Sequence, residues 1–185
     1  MKRVFKILMG LMGLVAVTLT VSCSSSSEPP YYDFEKNASF TSPEQCHKMV
    51  NDLSENGVQV IQEARQTTLI LPTDKFYLPD SYELNDLEYD TLNNVAKLVQ
   101  LSSSGVVYVA GFTDDGIPSR KDRTSFSQEK ALTMANFLWA HGVPLHRLAA
   151  IGYGHRFDIG NNALIHGSAL NRRVEIQWED QCCFP

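Results

Sequence analysis

The chain has 185 residues, 43% of them hydrophobic and 20% charged, with a formal net charge of −5. That length holds one domain with flanking segments. Residues 1–22 contain three basic and no acidic side chains, so the chain from residue 23 onward carries −8. This balance excludes an electrostatic nucleic-acid binder and a polybasic grip on anionic lipid.

Lys2, Arg3 and Lys6 precede an uncharged apolar run, Ile7–Val21, which ends in small residues before Cys23. This is the layout of a secretory signal peptide, and the run is short for a membrane span. Leu19-Thr20-Val21-Ser22-Cys23 resembles the bacterial lipoprotein cleavage site. The resemblance implies that residues 1–22 are removed and that Cys23 is lipidated. With Ser24 rather than aspartate next, it also implies an outer-membrane destination. Residues 23–41 read as the lipidated start and a tether, polar with Pro29-Pro30, and Tyr31-Tyr32-Asp33-Phe34 is either a strip on the domain or a docking segment.

A helix is expected over 42–57. Ser42, Pro43 and Gln45 make a capping box with the favoured proline, and Asn56-Gly57 is the stop. Cys46, Met49, Val50 and Leu53 share its apolar face. Val58–Ala64 and Thr67–Leu71 read as strands on either side of a turn at Arg65-Gln66. Asn85 and Glu88 box a second helix with the stripe Leu92, Val95, Ala96, Val99. Val106–Ala110, apolar on both faces, predicts an inner strand. Ser125 and Gln128 box a third helix, striped by Ala131, Met134, Ala135 and Leu138 and stopped by Gly142 and Pro144. Leu148–Ile151 is the next strand, with Gly152-Tyr153-Gly154 as a turn after it. Val174–Trp178 alternates with period two, as a half-buried strand does. Arg172 and Arg173 at its entrance point opposite ways, one to a pocket and one to water. Strands alternating with helices predict an α/β sandwich, one sheet with helices packed on it.

Gly152-Tyr153-Gly154, Asn162, Gly167 and Asn171-Arg172-Arg173-Val174-Glu175-Ile176 fall in an order and spacing that resembles the OmpA-like C-terminal domain, over residues 58–179. The resemblance implies a βαβαβ-β mixed sheet with helices on it, and a non-covalent hold on peptidoglycan. Thr113-Asp114 lies just past the end of the inner strand, where open α/β sheets collect ligand groups, and by the same resemblance Asp114 meets the amino group of diaminopimelate in the stem peptide. Lys130 stands where the family has an arginine for the ligand carboxylate, at the start of the following helix. Lysine keeps the charge but lacks the two-pronged fork. Arg172 closes the pocket, while Asn162 and Asn171 match polar positions that shape the loop.

Small size, lipid anchor, aromatic tether and a cysteine-bearing tail over 180–185 resemble the DotK (IcmN) lipoproteins of Dot/Icm type IVB secretion systems. Other envelope proteins are then partners, and a Pal-like envelope–wall tether is the competing resemblance. For Cys46, Cys182 and Cys183 an oxidising compartment makes a disulfide the default: Cys46 with Cys182 or Cys183, or the vicinal pair. His141, His146, His155, His166 and Asp158 show no metal-ligand spacing, and no nucleophile elbow or phosphate loop occurs. The expectation is a binding protein with no catalysis, metal or cofactor.

Overall fold

A computed structural model describes residues 43–101, 105–117 and 119–179. The expected signal peptide, Cys23, the expected tether, Ser42, Cys182 and Cys183 lie outside these described residues. Helix α1 (Pro43–Glu55) leads into the antiparallel hairpin β1 (Gln59–Glu63) and β2 (Gln66–Pro72). A single turn, α2 (Thr73–Phe76), and a loop then reach α3 (Tyr89–Leu101). Next come β3 (Val107–Phe112), α4 (Arg120–Ala140), β4 (Leu148–Gly154), α5 (Ile165–Asn171) and β5 (Arg173–Glu179).

The strand order is β1-β2-β5-β3-β4. β3 and β4 run parallel, and β5 is inserted antiparallel between β2 and β3. This is the expected mixed sheet with helices packed on it. Period-two alternation sends Leu69, Leu71, Val107, Val109, Val174 and Ile176 into one core with Leu92, Val95, Met134 and Leu138 of the helices. Cys46 and Leu53 of α1 join that core. The intervening strand residues, among them Tyr108 and Ile151, look out of the opposite face to solvent.

Several local expectations change. The β-turn sits at Ala64-Arg65, with Ala64 at φ 52°. Asn85 accepts from Leu87 N and caps a short 3-10 turn, Asp86–Glu88, that runs into α3. Helix α4 begins five residues before the expected Ser125, at Arg120, with Ser119 accepting from Asp122 N. Gln128 is therefore no capping residue. Its amide donates to Ala150 O (3.2 Å) and accepts from Gly152 N (2.7 Å), on a strand with only one strand neighbour among the described residues. Side-chain bonds thus mask part of a sheet edge that otherwise invites pairing with another chain.

Gly152-Tyr153-Gly154 continues β4 rather than ending it. A Cβ at Gly152 would lie 2.3 Å from Gln128 N and 2.6 Å from its Cα, so the absent side chain lets α4 sit against the strand. Gly152→Ala is expected to cost roughly 3 kcal/mol or more, because backbone must retreat along a packed helix. Urea denaturation measures it, and a loss under about 1 kcal/mol, the ordinary size of a surface change, would contradict the close approach.

Candidate functional site

At the C-terminal end of β3 the sheet opens into a hollow of about 550 Å3, lined by Asp74, Tyr77, Thr113, Asp114, Lys130 and Arg172 among others. A volume of this order holds a small ligand. Its charges come from five places in the chain: Asp74 on α2, Asp80 in the loop after it, Asp114 in the loop after β3, Lys130 on α4 and Arg172 between α5 and β5.

Asp114 is held firmly. Its Oδ1 accepts from Gly116 N at 3.1 Å, and its Oδ2 accepts from Ser168 Oγ at 2.5 Å and from Arg172 Nη1 at 2.6 Å. Burial pushes its carboxyl up, but these hydrogen bonds outweigh burial and hold it below the ordinary aspartate value. Arg172 also forks onto Asp74, with Nε–Oδ1 at 2.8 Å and Nη2–Oδ2 at 2.6 Å. Its pKa is raised, first by the bonds to Asp74 and then by those to Asp114, against some burial. Arg172 therefore lies in the pocket wall as expected, but as a clamp between two carboxylates. One cation shared by two anions leaves that wall net negative.

Lys130 faces it. It lies midway along α4, not at the helix start, and is only 7% exposed. Its Nζ sits 4.8 Å from the centre of the Phe126 ring and 5.1 Å from that of Tyr77, within cation–π range. The Tyr77 hydroxyl donates to the Lys130 carbonyl at 2.8 Å, fixing the ring under the ammonium. Among the described residues no carboxylate comes within ion-pair distance of Lys130. Burial lowers its pKa to about 8, only partly opposed by the charges of Asp74, Asp80 and Asp114. A negative wall and a cation thus flank one hollow, the complement of a zwitterion.

The other expected residues divide. Thr113 lines the hollow, and its buried Oγ1 has no partner among the described residues. Asn171 is buried outside it: Oδ1 accepts from Ile159 N and Gly160 N, and Nδ2 donates to Gly160 O and Asn162 Oδ1. Asn162 in turn donates to Asp158 at 2.6 Å. Both asparagines shape the loop and neither lines the pocket. Arg173 does not face water. It is buried on the open side of the sheet, because the guanidinium lies 3.9 Å from the centre of the Phe112 ring and its Nε donates to Glu175 at 2.7 Å. Asp74, Ser168, Tyr77 and Phe126 escaped the sequence reading. Only Asp74 left a trace there, as the acidic residue two positions after the strand-closing Pro72. Among the described residues no group of His, Cys, Asp or Glu side chains is arranged to hold a metal ion, and no helix is long and apolar enough to cross a membrane.

Known proteins resemble this chain in sequence and fold. Peptidoglycan-binding protein ArfA of Mycobacterium tuberculosis is 34% identical over 97 residues, 52% of this chain and 29% of ArfA. Probable lipoprotein YiaD of Escherichia coli is 29% identical over 129 residues, 70% of this chain and 58% of YiaD. The chain thus spans under a third of ArfA and little more than half of YiaD. The structure of the cell wall anchor of the T6SS from Pseudomonas aeruginosa superposes with a TM-score of 0.66 over 75% of this chain and 99% of that one. At 24% identity the likeness is one of fold. Residues 76–172, just over half of the chain, match the OmpA family model, and the chain belongs to the OmpA family.

Proposed function

We propose that this chain is a non-catalytic module that holds peptidoglycan, seating the diamino-acid end of a stem peptide between Asp114 and Lys130. The observation that carries the reading is the pairing of a clamped, net-negative wall with a buried lysine that has no carboxylate partner among the described residues. A ligand ammonium meets Asp114, and its carboxylate meets Lys130. A carboxylate has about four acceptor sites, so Asp114 keeps room for one more donor. The names of the relatives, a peptidoglycan-binding protein and a probable lipoprotein, support the same reading. Calorimetry of the purified domain with a diaminopimelate-containing stem peptide tests it, and no heat at millimolar peptide sinks it.

In this proposal Cys23 carries acyl chains that fix the domain to the outer membrane, with the fold in the periplasm. Cys23→Ala should leave the domain folded but release it from membranes. An unmodified N-terminus by intact mass would end that part of the reading. A disulfide from Cys46 to Cys182 or Cys183 belongs to the proposal too. It would close a loop of more than 130 residues, contributing about 5 kcal/mol in the chain-entropy model, and Cys46, 2% exposed, is well shielded. Non-reducing peptide mapping decides, with a vicinal Cys182–Cys183 bond as the rival result.

The cellular setting we propose is the envelope complex of a Dot/Icm type IVB secretion system, on the sequence layout described above. The saturation of Arg172 by two carboxylates, together with lysine in the family's arginine place, favours a second reading: a docking subunit with a degenerate wall site. A wall pull-down beside co-purification from membranes separates these. A docking subunit arrives with protein partners, and a free Pal-like tether sediments with wall alone.

A further inference from the structure

The face of the sheet turned away from the helices carries a second hollow, of about 450 Å3, which the stem-peptide reading does not use. Its floor is a run of rings. Phe112 and Tyr153 stack with centres 5.4 Å apart and planes 20° from parallel, and Phe157 meets Tyr153 edge-on at 5.2 Å. Tyr108 (48% exposed) and Phe157 (57% exposed) leave ring surface open to solvent. Polar groups line the same floor. Glu175 and Gln177 run along β5, and Arg173 is pinned by Glu175, by the Phe112 ring and by Phe157 O at 3.2 Å. The Nη1 of Arg173 has no partner among the described residues although the residue is 3% exposed. Buried donors are seldom left so, which marks this floor as incomplete without a further acceptor nearby.

Flat rings beside a row of hydrogen-bonding side chains match the two sides of a pyranose. Its C–H face lies on the electron-rich ring face, and its hydroxyl and acetamido groups reach the polar row. Glu175 is already bonded to Arg173 and Gln177 to Thr68, but a purely apolar partner would leave their remaining hydrogen-bonding capacity unmet. Phe112 lines both hollows. Asp114 follows Phe112 by two residues, at most about 7 Å of chain. In the wall polymer two amino acids separate the diamino acid from its sugar, which is about 10 Å when extended. A single wall fragment is therefore long enough to reach from one hollow to the other.

We propose that the groove on the open face binds the N-acetylated amino-sugar strand of the wall polymer, as a second site beside the stem-peptide pocket. The inference rests on the reading that the pocket takes wall peptide. Two weak contacts on one polymer reinforce each other through effective concentration, so a single sugar site of millimolar affinity still matters.

The test uses two probes on the mature chain: glycan strands stripped of peptide by amidase, and stem peptide free of sugar. Wild type is expected to bind both. The double variant Tyr108→Ala/Phe157→Ala removes only open rings, so it should fold, bind glycan strands at least tenfold more weakly and bind the peptide as wild type does. Asp114→Ala should show the reverse pattern. Amide shifts on strand addition should map to β3, β4 and β5 around Tyr108, Ile151 and Glu175. If wild type binds peptide but not stripped strands, the glycan site is overturned and the pocket survives. If it binds strands but not peptide, the pocket fails and the groove stands. Equal strand binding by wild type and the double variant overturns the inference. So does wild-type self-association that the double variant abolishes, which would give the face to a second copy.

Discussion

Asp114→Ala is expected to abolish binding of a diaminopimelate-containing stem peptide, with a loss of about 100-fold or more. Charge-assisted hydrogen bonds contribute roughly 1.5–3 kcal/mol each, and 1.4 kcal/mol is tenfold in affinity. The ligand ammonium loses its carboxylate, and Arg172 Nη1 and Ser168 Oγ lose theirs. Arg172 keeps its fork on Asp74, so the variant should fold. Asp114→Asn is the sharper control: it leaves an acceptor but turns the net charge of that wall from negative to neutral, and should lose most of the affinity. Because its folded-state pKa is lowered, Asp114 contributes stability above the ordinary aspartate value. That contribution disappears only as pH falls through the lowered one. Equal binding by wild type and Asp114→Ala in calorimetry would remove the central residue of the proposal.

The second large effect falls on Lys130, and it has opposite signs for stability and for binding. A lysine whose pKa is lowered to about 8 is destabilising while charged. Lys130→Met should therefore raise stability at pH 7 by up to about 3 kcal/mol, since each pKa unit is 1.36 kcal/mol, and should lose peptide binding. The stability gap should shrink between about pH 8 and pH 10.4, the ordinary lysine value. There folded Lys130 is already neutral while the unfolded chain still holds the proton. Peptide affinity of wild type should fall by up to tenfold per pH unit above about 8, as the free-state ammonium is lost. Lys130→Arg should flatten that part of the slope, because guanidinium stays charged, and should bind more tightly at pH 7 by gripping the carboxylate with two parallel bonds. The ligand's own amine titrates alike in both proteins, so the difference between the two profiles belongs to Lys130. A denaturation midpoint lowered by Lys130→Met, or parallel pH profiles, would show that no uncompensated charge sits there.

Much of the fold was legible because burial periodicity is local. The stripes Leu92–Val99 and Ala131–Leu138 and the alternation of Val174–Trp178 each fix a face without knowledge of the partner. Cap residues were less informative. Ser125 and Gln128 satisfy the capping pattern, but Ser119 starts the helix and Gln128 serves the edge of β4, a contact set by tertiary packing. Glycines were ambiguous in the same way. Gly152 looks like a turn former, whereas its role is to leave room for Gln128 backbone. Within the site, Asp114, Lys130 and Arg172 could be placed from the family spacing. Asp74 lies 40 residues before Asp114 and 98 before Arg172. No periodicity links such positions, so the clamp that neutralises Arg172 emerged only in three dimensions.

The insertion of β5 between β2 and β3 has a consequence for how the chain becomes a sheet. Neither neighbour pairs directly with the other, so hydrogen bonding across the middle waits for Arg173–Glu179, the last strand in chain order. A nascent chain that stops short of these residues can form the β1–β2 hairpin and the β3–α4–β4 unit but cannot join them. Such long-range closure is slow relative to local contacts. Completion of the sheet thus waits for nearly all of the described chain, and a chain truncated before Arg173 is expected to lack the central pairing.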